Sequence, residues 1–269
     1  MPEGRLLSAD GAPIAWFSSG TGPPIILVHG AAADHTTFRV IGPRLATGRT
    51  VHALDRRGRG ASGDSLPYSI EREFEDIAAV ADALARDSGG AVDVFGHSYG
   101  GRCALGAALL TESIDRVISY EGAPAAAGAP YGDADVLGEL VNLNERGDHD
   151  GLLATFMRRV VGMTAPQLAR YRADPVWPRR VAAAPTIVRE LRAESESSGA
   201  SGLALGAVRR PVLQILGGDS RPAFAAATAD LQSRLADGRV VVIPGARHAA
   251  HHSHPDELVA AVTAFLARM

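Results

Sequence analysis

The sequence predicts an α/β protein: a mostly parallel, doubly wound sheet of eight strands with a helical lid inserted after the sixth. Three observations lead there. Short β-branched runs alternate with helical stretches toward both ends of the chain, the pattern of a sheet covered on both faces. The run "PPIILVHG" is apolar without interruption, as a strand buried on both sides requires. From about residue 123 to about residue 201, strand patterning stops and only helical segments follow. The expected division is therefore a core built from 1–122 and 202–269, with 123–201 as the lid. A chain of 269 residues can bury one such core.

Each element has its own signal. "RLLSADGAPIAWFSSG" holds two alternating strands around Asp10-Gly11, a hairpin dipeptide. The buried run "PPIILVHG" comes next, then helical spacing at roughly 36–47, the strand "TVHALD" and a glycine-rich loop. "SIEREFEDIAAVADALARD" is an amphipathic helix with acids in its first turn, where they complement the helix dipole. The strand "AVDVFG", an Ala/Leu-rich helix from Ser98 to about Leu110, and the strand "RVISYEG" complete the first half. Within the lid, "DVLGELVNLNERGD" and "GLLATFMRRVVG" are helical, and Phe156, Met157, Tyr131 and Trp177 are candidates to line a pocket. "RPVLQILGGD", a helix near 222–236, "GRVVVIPG" and the closing helix "PDELVAAVTAFLARM" resume the alternation. In such sheets ligands bind beyond the carboxyl ends of the strands, where a lid closes over them.

Composition narrows the function. Apolar residues make up 46% and aromatic residues 5%, an ordinary balance for a packed globule. The 27 basic residues are scattered among 30 acidic ones for a net charge of −3, and no Lys/Arg stripe suggests nucleic acid or an anionic membrane. The single cysteine, Cys103, excludes an internal disulfide and a Cys-based zinc cluster, and reads as a buried thiol. "MPEGRLLSADG" lacks the apolar core of a secretory signal, and "PIILVHGAAA" is too short to span a bilayer. The expectation is a cytoplasmic protein, monomer or homodimer, with no cofactor and no metal, acting on a small-molecule acyl substrate.

The chemistry centres on G-H-S-Y-G at 96–100. A serine between a strand and a helix, flanked by small residues, fits the nucleophile elbow, a turn that lifts the hydroxyl clear of the sheet. Serine needs a base within hydrogen-bond reach. His248 follows the strand "RVVVI" by a short loop and so falls at the same sheet edge as Ser98. His251, His252 and His254 compete with it, placed in an irregular connector or exposed helix entry before Pro255. An acid must orient the base. Asp219, ending "PVLQILGGD", is preferred because Ser98, Asp219 and His248 stand in the chain order such a triad takes. Glu121, in "ISYEGAP", is the rival acid. In "LVHGAAAD" the small residues after His29-Gly30 let the Ala31 N–H face Ser98, and with the Tyr99 N–H it would form an oxyanion hole. His29 itself reads as a structural hydrogen-bonding residue of that loop. Residues 58–63, G-R-G-A-S-G, mimic a dinucleotide fingerprint but are separated by "DSLPYS" from the next helix, which argues for a loop.

Taken together, His29-Gly30, "DRRGRGAS", the elbow around Ser98, Asp219 and "PGARH" resemble the α/β-hydrolase superfamily, in its lidded esterase-, lactonase- and peroxidase-like branch, over nearly the whole chain. The resemblance implies Ser98 as nucleophile, His248 as base, Asp219 as acid, and Ala31 and Tyr99 as oxyanion donors. Two positions depart from the family pattern. Asp219 follows Gly217 by two residues where many relatives have three, which keeps Glu121 in play. Arg247 stands where relatives often carry a small residue, and either points to solvent or binds a substrate carboxylate. The expected activity is hydrolysis of a small carboxylic ester, lactone or thioester through an acyl-enzyme. The alternatives are a lyase, acyltransferase or cofactor-free perhydrolase using the same triad, and a non-catalytic binding protein on the same fold.

Overall fold

The computed structural model describes residues 2–267. Eight strands form one sheet: β1 Gly4–Leu7, β2 Pro13–Ser19, β3 Pro24–Val28, β4 Thr50–Asp55, β5 Val92–His97, β6 Ile114–Tyr120, β7 Val212–Gly217 and β8 Gly238–Ile243. Their spatial order is β1-β2-β4-β3-β5-β6-β7-β8. The β1–β2 and β2–β4 pairs are antiparallel, and every pair from β4 through β3 to β8 is parallel. The hairpin at Asp10-Gly11 thus makes the antiparallel edge, and β3 and β5 occupy the centre. Ile25, Ile26, Leu27 and Val28 have no exposed surface, which explains why this strand carries no polar alternation.

The helices are α1 Ile41–Leu45, α2 Ile70–Ser88, α3 Tyr99–Ala107, α4 Val136–Glu145, α5 His149–Phe156, α6 Ala165–Arg172, α7 Trp177–Ala183, α8 Pro185–Glu196, α9 Gly202–Leu205, α10 Pro222–Gln232, α11 Ala250–Ser253 and α12 Pro255–Leu266. The Ser69 side chain caps α2, and Glu71 and Glu73 fall in its first turn. Helices α2 and α3 cover one face of the sheet with Phe74, Ile77, Leu84, Cys103 and Leu105 in one apolar cluster. Helices α1 and α12 cover the other with Ile41, Leu45, Leu258 and Phe265. Burial raises the Cys103 thiol pKa strongly, so this thiol stays protonated.

Helices α4 to α8 follow β6 and precede β7, joined after α5 by a π turn, Met157–Val161. They share a third apolar cluster, in which Leu140, Leu152, Phe156, Trp177 and Ile187 pack together and onto Ala32 of the loop after β3. Trp177 belongs to this cluster, whereas Phe156 and Met157 reach the wall of a cavity below it. Two groups of buried ion pairs fasten α8 to the core. Glu190 bonds Arg56 at 2.7 Å and also pairs with Arg59, and Glu194 pairs with Arg102. Residues 58–63 form no helix; they wrap the Asp55 carboxylate, which accepts the Ala61 N–H at 2.8 Å.

Candidate active site

Backbone strain marks the carboxyl edge of the sheet. Among the described residues three that are not glycine have positive φ: Ala32 (48°), Ser98 (54°) and Glu121 (47°). Each follows the end of a central strand, β3, β5 or β6 in turn. Such conformations cost on the order of 1–3 kcal/mol each and persist where surrounding structure imposes them. Ser98 is held by its N–H on the Tyr120 carbonyl at 2.8 Å, and α3 begins with the next residue. The flanking glycines are a steric necessity. A Cβ on Gly96 would lie 2.3 Å from the Gly100 carbonyl oxygen, and one on Gly30 would lie 3.0 Å from Ser98 Cβ. The His-Gly loop therefore abuts the serine directly.

Arg56 shapes that loop. Its guanidinium, with no exposed surface, donates to the Gly30 carbonyl at 3.1 Å and the His29 carbonyl at 3.4 Å, while Glu73 and Glu190 neutralise it. His29 is locked between two partners. Nδ1 donates to the Gly30 carbonyl at 2.9 Å and Nε2 accepts the Arg56 N–H at 3.1 Å, which makes it a structural residue of the loop. Burial holds its pKa well below 6.5, so it is neutral. The Ala31 and Tyr99 amides have no acceptor among the loop and cap hydrogen bonds, and Tyr99 opens α3, where amides lack an intrahelical partner.

His248 lies beyond β8, and its Nδ1 donates to Glu121 Oε2 at 2.5 Å. The other carboxylate oxygen of Glu121 accepts the Gly217 N–H at 2.8 Å and the Ser220 hydroxyl at 2.5 Å. The carboxylate is thus fully engaged, with no exposed side-chain surface. Asp219, the preferred acid, is not the residue that bonds His248. Asp219 is exposed at the turn after β7, its backbone N–H bonded to the Ala246 carbonyl, and its side chain has no hydrogen-bond or ion-pair partner among the described residues. The longer Glu121 side chain, turned by its positive φ, reaches across β7 to the imidazole. Phe224 stacks on a face of that ring, with centroids 4.6 Å apart and planes 29° from parallel.

The remaining histidines pack around this centre. His97 Nε2 donates to the His248 carbonyl at 2.8 Å, and its ring lies 4.4 Å from that of His251. His251, expected in an irregular connector or exposed helix entry, is 3% exposed and sits on the short helix α11. Burial, aided by neighbouring imidazoles, pushes the pKa of His97 and His251 well below 6.5; burial and the nearby Arg39 and Arg180 hold His252 at about 4. Ser98 and His248 line one cavity of about 550 Å³, together with Gly30, Ala31, Phe156 and Met157. No hydrogen bond joins the Ser98 and His248 side chains directly, a common state of a site without substrate. The geometry therefore brings together Ser98, His248, Ala31, Tyr99 and Glu121, and leaves Asp219 on the cavity wall. Arg56 lies in the "DRRGRGAS" motif, but its pairing with Glu73 and Glu190, like the places of Phe224 and Ser220, carries no sequence signal.

A serine strained at the mouth of a helix, with an imidazole held by a buried carboxylate at the same sheet edge, defines a class of hydrolytic enzyme. A profile of the alpha/beta hydrolase family matches residues 25–262, and the chain belongs to that family. It is 27% identical over 259 residues to 2-(acetamidomethylene)succinate hydrolase of Mesorhizobium japonicum, covering 92% of this chain and 89% of that one. It is 28% identical over 256 residues to a pimeloyl-[acyl-carrier protein] methyl ester esterase of Neisseria meningitidis, covering 88% and 90%. Among solved structures, an alpha/beta hydrolase from Sphaerobacter thermophilus superposes with a TM-score of 0.81 at 31% identity, over 96% of this chain and 100% of that one. The protein is a hydrolase of this family. No helix among the described residues is long and apolar enough to cross a membrane.

Proposed function

We propose that the protein is a serine hydrolase of small carboxylic esters, lactones or thioesters, working through an acyl-enzyme on Ser98. The observation that carries this reading is the His248–Glu121 hydrogen bond at 2.5 Å, placed on the cavity that Ser98 also lines. With Nδ1–H committed to Glu121, His248 presents the Nε2 lone pair to the cavity, the tautomer a general base needs. Ser98 Oγ attacks the acyl carbon while its proton passes to Nε2, and the Ala31 and Tyr99 N–H groups receive the oxyanion. The imidazolium then protonates the leaving oxygen or sulfur, and the bond to the acyl carbon breaks. Water, deprotonated by His248, attacks the acyl-enzyme; the acid departs and Ser98 recovers its proton. The Glu121 carboxylate balances the imidazolium. Helices α4 to α8, resting on Ala32 and fastened by Glu190 and Glu194, serve as the lid that keeps bulk water from the acyl-enzyme.

The names of relatives support an ester or related carbonyl substrate: one is a methyl ester esterase, another hydrolyses an acetamidomethylene derivative of succinate. The test is a panel of p-nitrophenyl esters and lactones graded by acyl length. Turnover that vanishes in Ser98→Ala supports the reading. Labelling of Ser98 without hydrolysis of any member would turn the assignment toward acyl transfer or elimination.

A further inference from the structure

The wall of the active-site cavity carries more positive charge than its own acids answer. Five arginines line it, Arg39, Arg170, Arg180, Arg221 and Arg247, against two acids, Asp174 and Asp219. Two of the five are paired. Arg180 bonds the buried Asp34 at 3.1 Å, and Arg39 bonds Asp174 at 3.2 Å. Arg221 is half-buried and directs Nη1 at three neutral carbonyls, those of Tyr131, Arg159 and Val160, at 2.5–2.9 Å. Its charge is held in place and left uncompensated. The Arg170 and Arg247 guanidinium groups, both on exposed residues at the cavity rim, have no hydrogen-bond or ion-pair partner among the described residues. Three cations without a counter-charge of their own, Arg170, Arg221 and Arg247, thus share the wall with Asp219. The lining histidines do not change this balance, because burial keeps His97, His251 and His252 neutral.

Arg247 is the best placed of the three. It directly precedes His248, so its Cα lies about 3.8 Å from that of the base. Asp219 is on the adjoining loop, its N–H on the carbonyl of Ala246, the residue before Arg247, yet no ion pair forms between the two side chains. The Arg247 fork is therefore available. Low-dielectric walls concentrate such a field within a cleft and raise the local concentration of anions. A guanidinium matches a carboxylate with two parallel hydrogen bonds, and about 550 Å³ suits a molecule of a few carbons on either side of the acyl group.

We propose that the site is selective for acyl substrates that carry a second, free carboxylate, the half-esters and related derivatives of short dicarboxylic acids, and that Arg247 holds that carboxylate. The inference rests on the hydrolytic reading of Ser98 for its kinetic test and not for its binding test. Monomethyl glutarate should be hydrolysed with a kcat/KM at least about tenfold above that of its neutral dimethyl ester. Arg247→Gln should lower that selectivity ratio about tenfold through KM for the anionic ester, with Arg247→Lys restoring part of it. Binding is measured separately by calorimetry on Ser98→Ala. Glutarate should bind, and adding Arg247→Gln should weaken it about tenfold.

Equal efficiency toward the two esters, or glutarate binding indifferent to Arg247→Gln, would overturn the proposal. Inorganic phosphate that binds through Arg247 in place of glutarate would also overturn it, because the site would then read a phosphoryl group. Arg247-dependent glutarate binding without hydrolysis of either ester would uphold the anion site and sink the serine mechanism instead.

Discussion

Glu121 and His248 lie 127 residues apart in sequence and share a buried hydrogen bond of 2.5 Å. Two further donors, from Gly217 and Ser220, occupy the other oxygen of the same carboxylate. On the proposed mechanism this fixed carboxylate orients the imidazole, and the solvent-exposed Asp219 does not. Glu121→Gln should lower kcat by roughly a thousandfold or more, since the amide favours the wrong tautomer. Asp219→Asn should keep turnover within about threefold, as expected of an exposed side chain without partners. Steady-state kinetics on the two variants side by side decide between the acids, and a larger loss from Asp219→Asn would contradict the assignment.

Phe224 stacks on a face of the His248 ring, whose edge meets the carboxylate. Phe224→Leu retains the apolar bulk and removes the stacked face. Such a contact contributes about 0.5–1.5 kcal/mol, so kcat should fall about two- to tenfold with the fold intact by circular dichroism. Unchanged kcat would show that Glu121 alone positions the ring.

The glycines beside the serine separate packing from chemistry. Gly96→Ala drives a methyl to 2.3 Å from a backbone oxygen and should unfold the elbow, lowering soluble yield and Tm. At Gly30 the contact is milder, 3.0 Å from Ser98 Cβ, so Gly30→Ala should fold and lose kcat by displacing the oxyanion loop. Thermal melts and kinetics on both distinguish the two effects; normal kcat in Gly30→Ala would argue against this loop as the oxyanion hole.

Stability should decline on acidification below about pH 6.5. The folded pKa values of His97 and His251 lie well below 6.5 and that of His252 is about 4, burial being the first cause in each. Below the unfolded value, the unfolded chain binds protons that the native state refuses, so each depressed imidazole destabilises the fold by up to about 1.4 kcal/mol per pH unit. This contribution is absent above the unfolded value and grows as pH falls toward the folded one. Tm measured across this range should drop, and His97→Asn should flatten the slope. A Tm independent of pH over that window would contradict the buried neutral cluster.

Much of this architecture was legible in local sequence. The elbow needs small residues at fixed offsets around one serine, so "GHSYGG" announces Ser98 without long-range information. The continuous apolar run of β3 and the hairpin at Asp10-Gly11 are equally local. The His248–Glu121 contact was not, because it depends on a positive φ at Glu121 and on the reach of its side chain across β7. The burial of His251 followed from the packing of α11 against His97 and Phe38, which no periodicity encodes. Likewise Arg56 meets Glu73 and Glu190 at separations of 17 and 134 residues, the second contact set wholly by the docking of α8. Element ends also shifted: the helix expected to reach Leu110 stops at Ala107.

The central claim is that Ser98 is an activated nucleophile, and covalent labelling tests it most directly. A fluorophosphonate probe followed by intact-mass and peptide mass spectrometry should find one adduct per chain, on Ser98. Labelling should disappear in Ser98→Ala and slow sharply in Glu121→Gln. A folded protein that takes no label, or takes it at another residue, would contradict the account.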